Sequence, residues 1–145
     1  MCGIVGFVNL RRSIKTANDK EILEDMMQTI ARRGPDEDGI YQEEHVAMGH
    51  KRLIVIDPEG GKQPMSYCYH ENTYTIVYNG QLYNTKELKQ ELEEADFTFA
   101  THSDTEVLLK GFIHWGYEIV HKINGIFAFA IWDAKKQELF FARDH

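Results

Sequence analysis

The order of the apolar segments constrains the fold of this chain more than any other feature of its sequence. Residues 3–9 alternate small and apolar side chains, a pattern that predicts a buried strand. At residues 19–32, the apolar side chains of Ile22, Met26 and Ile30 recur at every fourth position, which predicts an amphipathic helix. Further strands are predicted at residues 39–41, 46–49 and 73–78, the first two joined as a hairpin, and residues 52–57 are predicted to form another strand or an extended segment.

The second half of the chain adds two helices and a final pair of strands. Helices are predicted at residues 85–94 and 103–116, the second opened by a Ser-x-x-Glu capping box that starts at Ser103. Residues 126–132 and 138–142 predict an antiparallel hairpin. Strands, then helices, then strands again predict an α+β layered architecture with mainly antiparallel sheets.

The composition is that of one globular domain covering residues 1–145, with 43% hydrophobic and 27% charged residues. A net charge of -7 without a basic stripe argues against a nucleic acid partner. An apolar run of membrane-spanning length and the pattern of a signal peptide are both missing, so we expect no membrane association. The two cysteines, Cys2 and Cys68, are therefore expected to be reduced, in the cytoplasm.

Cys2 is the first candidate for chemistry, because removal of the initiator methionine would make it the N-terminal residue. It would then carry a thiol and a free α-amino group, whose ordinary pKa values are about 8.5 and about 8. The amine can accept the proton of the thiol near neutral pH, so one residue would supply both nucleophile and base. A cysteine at the second position is weak evidence by itself, and other residues must support it.

Three further polar features lie where strands or loops are predicted to end. Arg52 has a guanidinium suited to bidentate binding of a carboxylate, although an ordinary ion pair would also explain it. Asn79 and Gly80 could together donate hydrogen bonds to an oxyanion, although an Asn-Gly pair is most simply a turn. Asp104 could take an ammonium group, or could merely favour the positive end of its helix.

Together these features fit one ligand, a zwitterionic amino acid whose distal amide reaches Cys2. Other chemistries have less support, because a phosphate-binding glycine loop and a Ser-His-Asp arrangement are missing. His45 and His50 have the spacing of a zinc-finger histidine pair, but no cysteine pair precedes them, and we predict no metal site.

Seven segments in order resemble the motifs of class II glutamine amidotransferases and, more narrowly, of the N-terminal glutaminase domain of glutamine-hydrolysing asparagine synthetases. They are Met-Cys-Gly-Ile-Val-Gly at 1–6, Arg-Gly-Pro-Asp at 33–36, Arg-Leu-Ile-Val-Ile-Asp at 52–57, Tyr-Asn-Gly at 78–80, Ser-Asp-Thr-Glu at 103–106, Asn-Gly-Ile-Phe-Ala-Phe-Ala at 124–130 and Ala-Arg-Asp at 142–144. The resemblance runs from end to end. It implies an N-terminal nucleophile (Ntn) hydrolase fold, a four-layer αββα sandwich with two antiparallel sheets between helical layers.

The resemblance also implies a role for each candidate residue. Cys2 would attack the side-chain amide of L-glutamine, while Asn79 and Gly80 hold the oxyanion. Arg52 would bind the α-carboxylate of the substrate and Asp104 its α-ammonium group. Four more residues are implied to line the substrate pocket: Leu53, Val55, Ile56 and Gln81.

One residue departs from the pattern of the family. Members usually carry Glu after the Asn-Gly pair, where it helps to recognise the substrate ammonium group, and this chain carries Gln81. Gln keeps an acceptor oxygen but loses the charge. We therefore expect weaker binding of glutamine than with Glu at this position, and Asp104 to make most of the ammonium contact.

The length is a second departure, because members of the family continue beyond the segment that matches residues 142–144. The resemblance implies more glutaminase strands and then a synthetase domain that uses ATP, Mg²⁺ and aspartate. We accordingly expect an incomplete domain, without a cofactor of its own, whose partners are L-glutamine and a synthetase domain. The apolar surface that this partner would cover predicts lower stability and self-association, for example as a homodimer.

Two alternatives remain open from the sequence. The ammonia could serve an acceptor other than aspartate, which only a further domain could reveal. The chain could instead be a catalytically silent binding or regulatory module, a reading that Gln81, the short length and a retained Met1 would each favour. An unprocessed Met1 would bury the amine of Cys2 in a peptide bond and remove the base.

Overall fold

The computed structural model describes residues 1–55 and 57–145. Seven strands and four helices account for most of this part of the chain. The strands are β1 (Gly3–Val8), β2 (Glu37–Gln42), β3 (Val46–Arg52), β4 (Met65–Tyr69), β5 (Asn72–Leu82), β6 (Gly125–Asp133) and β7 (Glu138–Arg143). The helices are α1 (Ala17–Thr29), α2 (Thr85–Glu94), α3 (Asp104–Trp115) and α4 (Ile119–Lys122), with 3₁₀ turns at Ala31–Arg33 and Gly116–Glu118.

The strands form two sheets in which every neighbouring pair is antiparallel. The smaller sheet has the order β1-β3-β2, so β3 is its central strand. The larger sheet has the order β4-β5-β6-β7, in which β5 and β6 pair over nine positions. The hairpins predicted for β2–β3 and for β6–β7 are confirmed.

The layers follow from the alternation of side chains along the strands. On β3, Ala47 packs outward against α1, whereas Val46 and Met48 face the larger sheet and contact Val77 and Trp132. The outer face of the larger sheet packs against α2 and α3 through the largest apolar cluster of the structure. The order of layers is therefore α1, small sheet, large sheet, and α2 with α3, which confirms the predicted αββα sandwich.

The apolar stripe predicted for the first helix is wrong by one position. Leu23 and Met27 are buried, whereas Ile22 is 43% exposed. Helix α1 also begins earlier than predicted, because the side chain of Thr16 accepts a hydrogen bond from the Asp19 N–H and caps the helix at Ala17. Adjacent apolar pairs such as Ile22 and Leu23 leave open in the sequence which face of the helix is buried.

Of the described residues in the segment 52–57, only Arg52 belongs to a strand, so the strand alternative is wrong for the others. The ladder stops at Arg52, which pairs with Glu37, the first residue of β2, while β1 reaches only Lys51. Beyond this point, neither neighbouring strand continues, so Ile54 and Val55 have no pairing partner. Leu53 and Val55 lie in a loop, and Ile56 lies outside the described residues.

The turn predicted at Asn79 and Gly80 is not formed. Strand β5 continues through both residues to Leu82, because β6 pairs with it along the whole stretch, with Gly80 opposite Phe127. A glycine is required here, since a Cβ at residue 80 would lie 2.2 Å from the carbonyl oxygen of Ile126. The predicted strand at 73–78 was therefore too short, and β4, which extends the sheet, was not predicted.

Helix α2 has the predicted bounds, and half of the capping box of α3 is present. The Ser103 hydroxyl accepts a hydrogen bond from the Glu106 N–H at 3.3 Å. The Glu106 carboxylate does not return this bond, because it accepts from the N–H groups of Ala100 and Thr101 and pairs with Lys110. It thereby holds the segment that leads into α3.

Two apolar side chains of the larger sheet remain open to solvent. Phe141 is 73% exposed and Ile126 is 50% exposed. The uncovered apolar surface and the self-association expected from the sequence stay predictions. None of the helices within the described residues has the length and apolarity to cross a membrane.

Candidate active site

One cleft at the end of the sandwich collects the residues predicted for the site. It lies where β1 begins and β3 ends, next to the last third of β5 and the start of α3, and has a volume of about 220 Å³. The predicted residues that line it are Cys2, Arg52, Leu53, Val55, Asn79, Gly80, Gln81 and Asp104. Seven other residues complete the lining: Met1, Gly61, Gln63, Tyr78, Ser103, Thr105 and Ile126. Ile56 belongs to the same prediction but lies outside the described residues.

Cys2 is oriented by the backbone of Leu53 at the end of the central strand of the small sheet. Its Sγ accepts a hydrogen bond from the Leu53 N–H at 3.3 Å, and the thiol can donate to the Leu53 carbonyl oxygen at 3.6 Å. The carbonyl of Cys2 accepts from Arg33 Nε at 3.1 Å. Met1 is 60% exposed, so the peptide bond that must be cut to free the Cys2 amine lies at the surface.

Asn79 and Gly80 lie on β5 at the wall of the cleft. Asn79 shares a sheet face with Val77, whose side chain packs between the sheets, so its amide faces the layer that carries Cys2. Within the part of the chain that the structure describes, the Asn79 amide has no hydrogen-bond partner. An unengaged side-chain amide on a fixed strand is a suitable donor for a developing oxyanion.

Tyr78 is the residue that sequence reasoning missed most clearly. Its N–H donates to Gln63 Oε1, its carbonyl accepts from His50 Nε2 at 3.0 Å, and its hydroxyl donates to Asp104 Oδ2 at 2.8 Å. Burial, reinforced by the negative charge of Asp104, raises the pKa of the hydroxyl far above its usual value. Tyr78 therefore remains a protonated donor that holds the Asp104 carboxylate.

Arg52 lies at the wall of the cleft with its guanidinium almost fully buried. Nη1 pairs with Glu37 Oε2 at 2.8 Å and donates to the Pro58 carbonyl at 2.9 Å, while Nη2 donates to the Asp57 carbonyl at 2.7 Å. A guanidinium has five N–H groups, so these three contacts leave two, the number that a bidentate carboxylate requires. The ion pair of Arg52 with Glu37 is thus compatible with the predicted binding of a substrate carboxylate by Arg52.

Asp57 joins the loop beside Arg52 to the segment that precedes α3. Its carboxylate accepts from the His102 N–H and from the Gly60 N–H, each at 2.9 Å. These two donors, that of His102 first, lower the pKa of Asp57. A single carboxylate therefore links the loop that holds Arg52 with the residues immediately before Asp104.

Asp104 is the first residue of α3, where the unpaired N–H groups of the helix favour a negative charge. Its Oδ2 accepts from the Tyr78 hydroxyl and, at 3.1 Å, from the Leu82 N–H. Gln81 lines the same part of the cleft and is exposed. Asp104 is thus a fixed anionic group in the cleft that also contains the cation of Arg52.

The family comparison covers the whole chain. The model of the glutamine amidotransferase domain matches residues 1–145. Asparagine synthetase [glutamine-hydrolyzing] 3 of Bacillus subtilis (strain 168) is 49% identical over 144 residues, covering 99% of this chain and 23% of that protein. Asparagine synthetase B of Escherichia coli (strain K12) is 31% identical, covering 100% and 25%. The chain thus spans about a quarter of the length of these relatives.

Solved structures support the same fold. Glutamine phosphoribosylpyrophosphate amidotransferase from B. subtilis, complexed with ADP and GMP, has a TM-score of 0.60 at 28% identity, covering 71% of this chain and 24% of that one. An allosteric regulatory enzyme of purine biosynthesis has a TM-score of 0.59 at 22% identity, covering 97% and 31%. The second likeness concerns the fold alone.

Proposed function

Since the chain belongs to the glutamine amidotransferase domain family, we propose that its cleft hydrolyses L-glutamine to glutamate and ammonia. The observation that carries the proposal is the convergence of Cys2, the Asn79–Gly80 pair, Arg52 and Asp104 on one cleft. These residues are far apart in the sequence, and each offers the group that one part of glutamine requires.

Substrate binding uses the two charged groups of the cleft. The two remaining N–H groups of Arg52 bind the α-carboxylate of glutamine, and Asp104 accepts from its α-ammonium group. Gln81 adds a neutral acceptor in the same cleft. With both substituents of the α-carbon held, the side-chain amide of the substrate extends toward Cys2.

The reaction then proceeds through a thioester. After removal of Met1, the α-amino group of Cys2 takes the thiol proton, directly or through water, and Sγ attacks the amide carbon. Asn79 Nδ2 and the Gly80 N–H stabilise the tetrahedral oxyanion. The C–N bond breaks, the leaving nitrogen receives the proton, and ammonia departs. Water hydrolyses the γ-glutamyl thioester, which yields glutamate and restores the thiol, so this half-reaction balances without a cofactor.

The ammonia has a proposed destination in a further domain. The relatives named above are asparagine synthetases, and we propose that the ammonia amidates aspartate in a synthetase domain that binds ATP and Mg²⁺. Transfer to another acceptor is the alternative, and it would leave the chemistry at Cys2 unchanged. Both Cys2 and Cys68 are free thiols, which supports the cytoplasm as the location.

Glutamate release by the purified chain tests the proposal. Intact mass first establishes that Met1 has been removed, and glutamate and ammonia are then measured for wild type, Cys2→Ala and Cys68→Ala. Cys68 is exposed and lies outside the cleft, so its variant is the matched control. We expect equal activity in wild type and Cys68→Ala and none in Cys2→Ala. A processed, folded wild type without activity, or equal activity in Cys2→Ala, would instead support the silent module.

A further inference from the structure

We propose that His50 is a positioning residue that fixes the oxyanion donors relative to the Cys2 nucleophile. The inference rests on the proposed glutaminase activity, and assigns a role to a buried side chain that the mechanism itself does not use. His50 does not line the cleft, and its ring reaches from one sheet to the other directly beneath it.

The nucleophile and the oxyanion donors belong to different sheets. Cys2 immediately precedes β1, and in the small sheet Ile4 of β1 pairs with His50 of β3. Asn79 and Gly80 belong to β5 of the large sheet. Backbone pairing therefore fixes each half of the site within its own sheet, and side chains must set the distance between the halves.

His50 makes such a connection at the required place. Its Nε2 lies 3.0 Å from the carbonyl oxygen of Tyr78, and both residues are buried. That carbonyl belongs to the same peptide group as the Asn79 N–H. A bond to it therefore restrains the orientation of the peptide plane from which Asn79 projects.

The edge of β5 explains why this carbonyl needs a partner. Strand β4 pairs with β5 only as far as Ile76, opposite Met65, so the backbone groups of Tyr78 have no partner on β4. Buried backbone groups without hydrogen bonds are costly. Gln63 satisfies the Tyr78 N–H and His50 satisfies its carbonyl, so two side chains replace the missing strand.

The protonation state of His50 suits this role. Because a carbonyl can only accept, Nε2 must carry the proton of the neutral ring. Within the described residues, Nδ1 is buried without a hydrogen-bond partner. Burial lowers the pKa of His50 to about 4, against the opposing effect of its hydrogen bond to the Tyr78 carbonyl; the charge of Arg52 adds to the shift and that of Glu37 opposes it. The ring therefore remains neutral, with its donor toward Tyr78, at neutral pH.

Three substitutions of His50, to Gln, Asn and Leu, separate its role as a hydrogen-bond donor from simple packing. Gln carries an amide donor at a reach close to that of Nε2, Asn carries the same donor one methylene shorter, and Leu fills the space without a donor. If His50 only packs between the sheets, His50→Leu should be the best tolerated. If it positions the oxyanion donors, His50→Gln should be the most active of the three.

The measurement is kcat and KM for glutamate release, with thermal unfolding to confirm folding and the exposed His121→Gln as control. We expect kcat to fall about 10- to 100-fold in His50→Leu and His50→Asn, with the KM for glutamine within about twofold of wild type. His50→Gln should restore most of kcat. A small misplacement of catalytic donors is sufficient for a loss of this size.

The outcomes distinguish this inference from the activity on which it rests. Wild-type kcat in a folded His50→Leu variant, or Leu more active than Gln, would overturn the positioning role while the glutaminase activity stands. A rise in KM without a fall in kcat would also overturn it. A processed wild type that releases no glutamate would remove the proposed function and the positioning role together.

Discussion

The two halves of the cleft are held in place by different means. The reaction half, Cys2 with Asn79 and Gly80, is fixed by strand backbones, by hydrogen bonds to Leu53 and by the contact of His50 with Tyr78. The recognition half consists of the charged side chains of Arg52 and Asp104, and each is held by contacts with other groups of the protein. Arg52 is paired with Glu37, and Asp104 accepts from Tyr78 and Leu82.

This difference has a physical reason. A buried guanidinium or carboxylate without partners would strongly destabilise the folded protein, so other protein groups must pair with it before the substrate binds. The oxyanion donors, a side-chain amide and a backbone N–H, carry no charge and need only fixed directions. We therefore expect changes in the reaction half to lower kcat, and changes in the recognition half to raise KM.

Among substitutions that leave the Cys2 nucleophile in place, the largest effect is expected from Asn79→Ala. Loss of one oxyanion donor should lower kcat by about 10²- to 10³-fold, because the charge that it stabilises exists only in the transition state. KM should change little. Steady-state kinetics of glutamate release test this, and a change confined to KM would place Asn79 in substrate recognition instead.

The buried neutral ring of His50 predicts that stability depends on pH. Its folded pKa of about 4 lies below its unfolded value of 6.5, so the unfolded state binds more protons between these values. Stability is complete above pH 6.5 and should decrease by about 3 kcal/mol as the pH falls to 4. Denaturant titrations at pH 7 and pH 4.5 measure this loss.

The loss of stability between pH 7 and pH 4.5 should be much smaller in His50→Gln, which has no ionisable group at this position. The difference between the two proteins isolates His50 from acidic residues such as Asp19, whose pKa is lowered to about 2 by Arg12 and whose effect begins at lower pH. Equal losses in both proteins would show that His50 is not the group responsible.

In the recognition half, Arg52→Lys should raise the KM for glutamine by about 10- to 100-fold. Lysine retains the charge and can still pair with Glu37, but it lacks the planar pair of N–H groups that binds a carboxylate in bidentate fashion. We expect kcat to change much less than KM. An unchanged KM, measured in the same assay, would limit Arg52 to its ion pair with Glu37.

The smallest effect is expected from Gln81→Glu. An additional exposed carboxylate beside Asp104 should lower the KM for glutamine by roughly 2- to 5-fold, because exposed ion pairs contribute little. The variant should be compared with Gln81→Ala, which removes the acceptor as well as the charge. If Gln81→Glu leaves the KM unchanged, Asp104 alone recognises the ammonium group.

The sequence predicted those parts of the fold that local signals determine. Helix α2 and the β6–β7 hairpin depend on nearby residues, and both were found close to the predicted positions. The turn at Asn79 and Gly80 was wrong because the partner strand β6 lies more than forty residues away. Local preference for a turn is weaker than nine positions of strand pairing.

The site residues were predicted by chemistry and resemblance, whereas their supports were not. Glu37, His50, Asp57 and Tyr78 act through contacts between distant segments. Asp57 and Tyr78 lie within the segments 52–57 and 78–80 that resemble family motifs, but the resemblance gave them no role. For Glu37, the predicted hairpin offered a signal. The hairpin of β2 and β3 pairs Gln42 with Ala47, and extending this register places Glu37 opposite Arg52.

The proposed thioester on Cys2 offers the most direct measurement. The processed chain is mixed with glutamine in the presence of hydroxylamine, and parallel samples are quenched with acid for mass spectrometry. We expect γ-glutamyl hydroxamate to form at the expense of glutamate, and a single glutamyl adduct to map to Cys2 and to be absent from Cys2→Ala. Glutamate release with neither product, or an adduct on Cys68, would contradict the proposed chemistry.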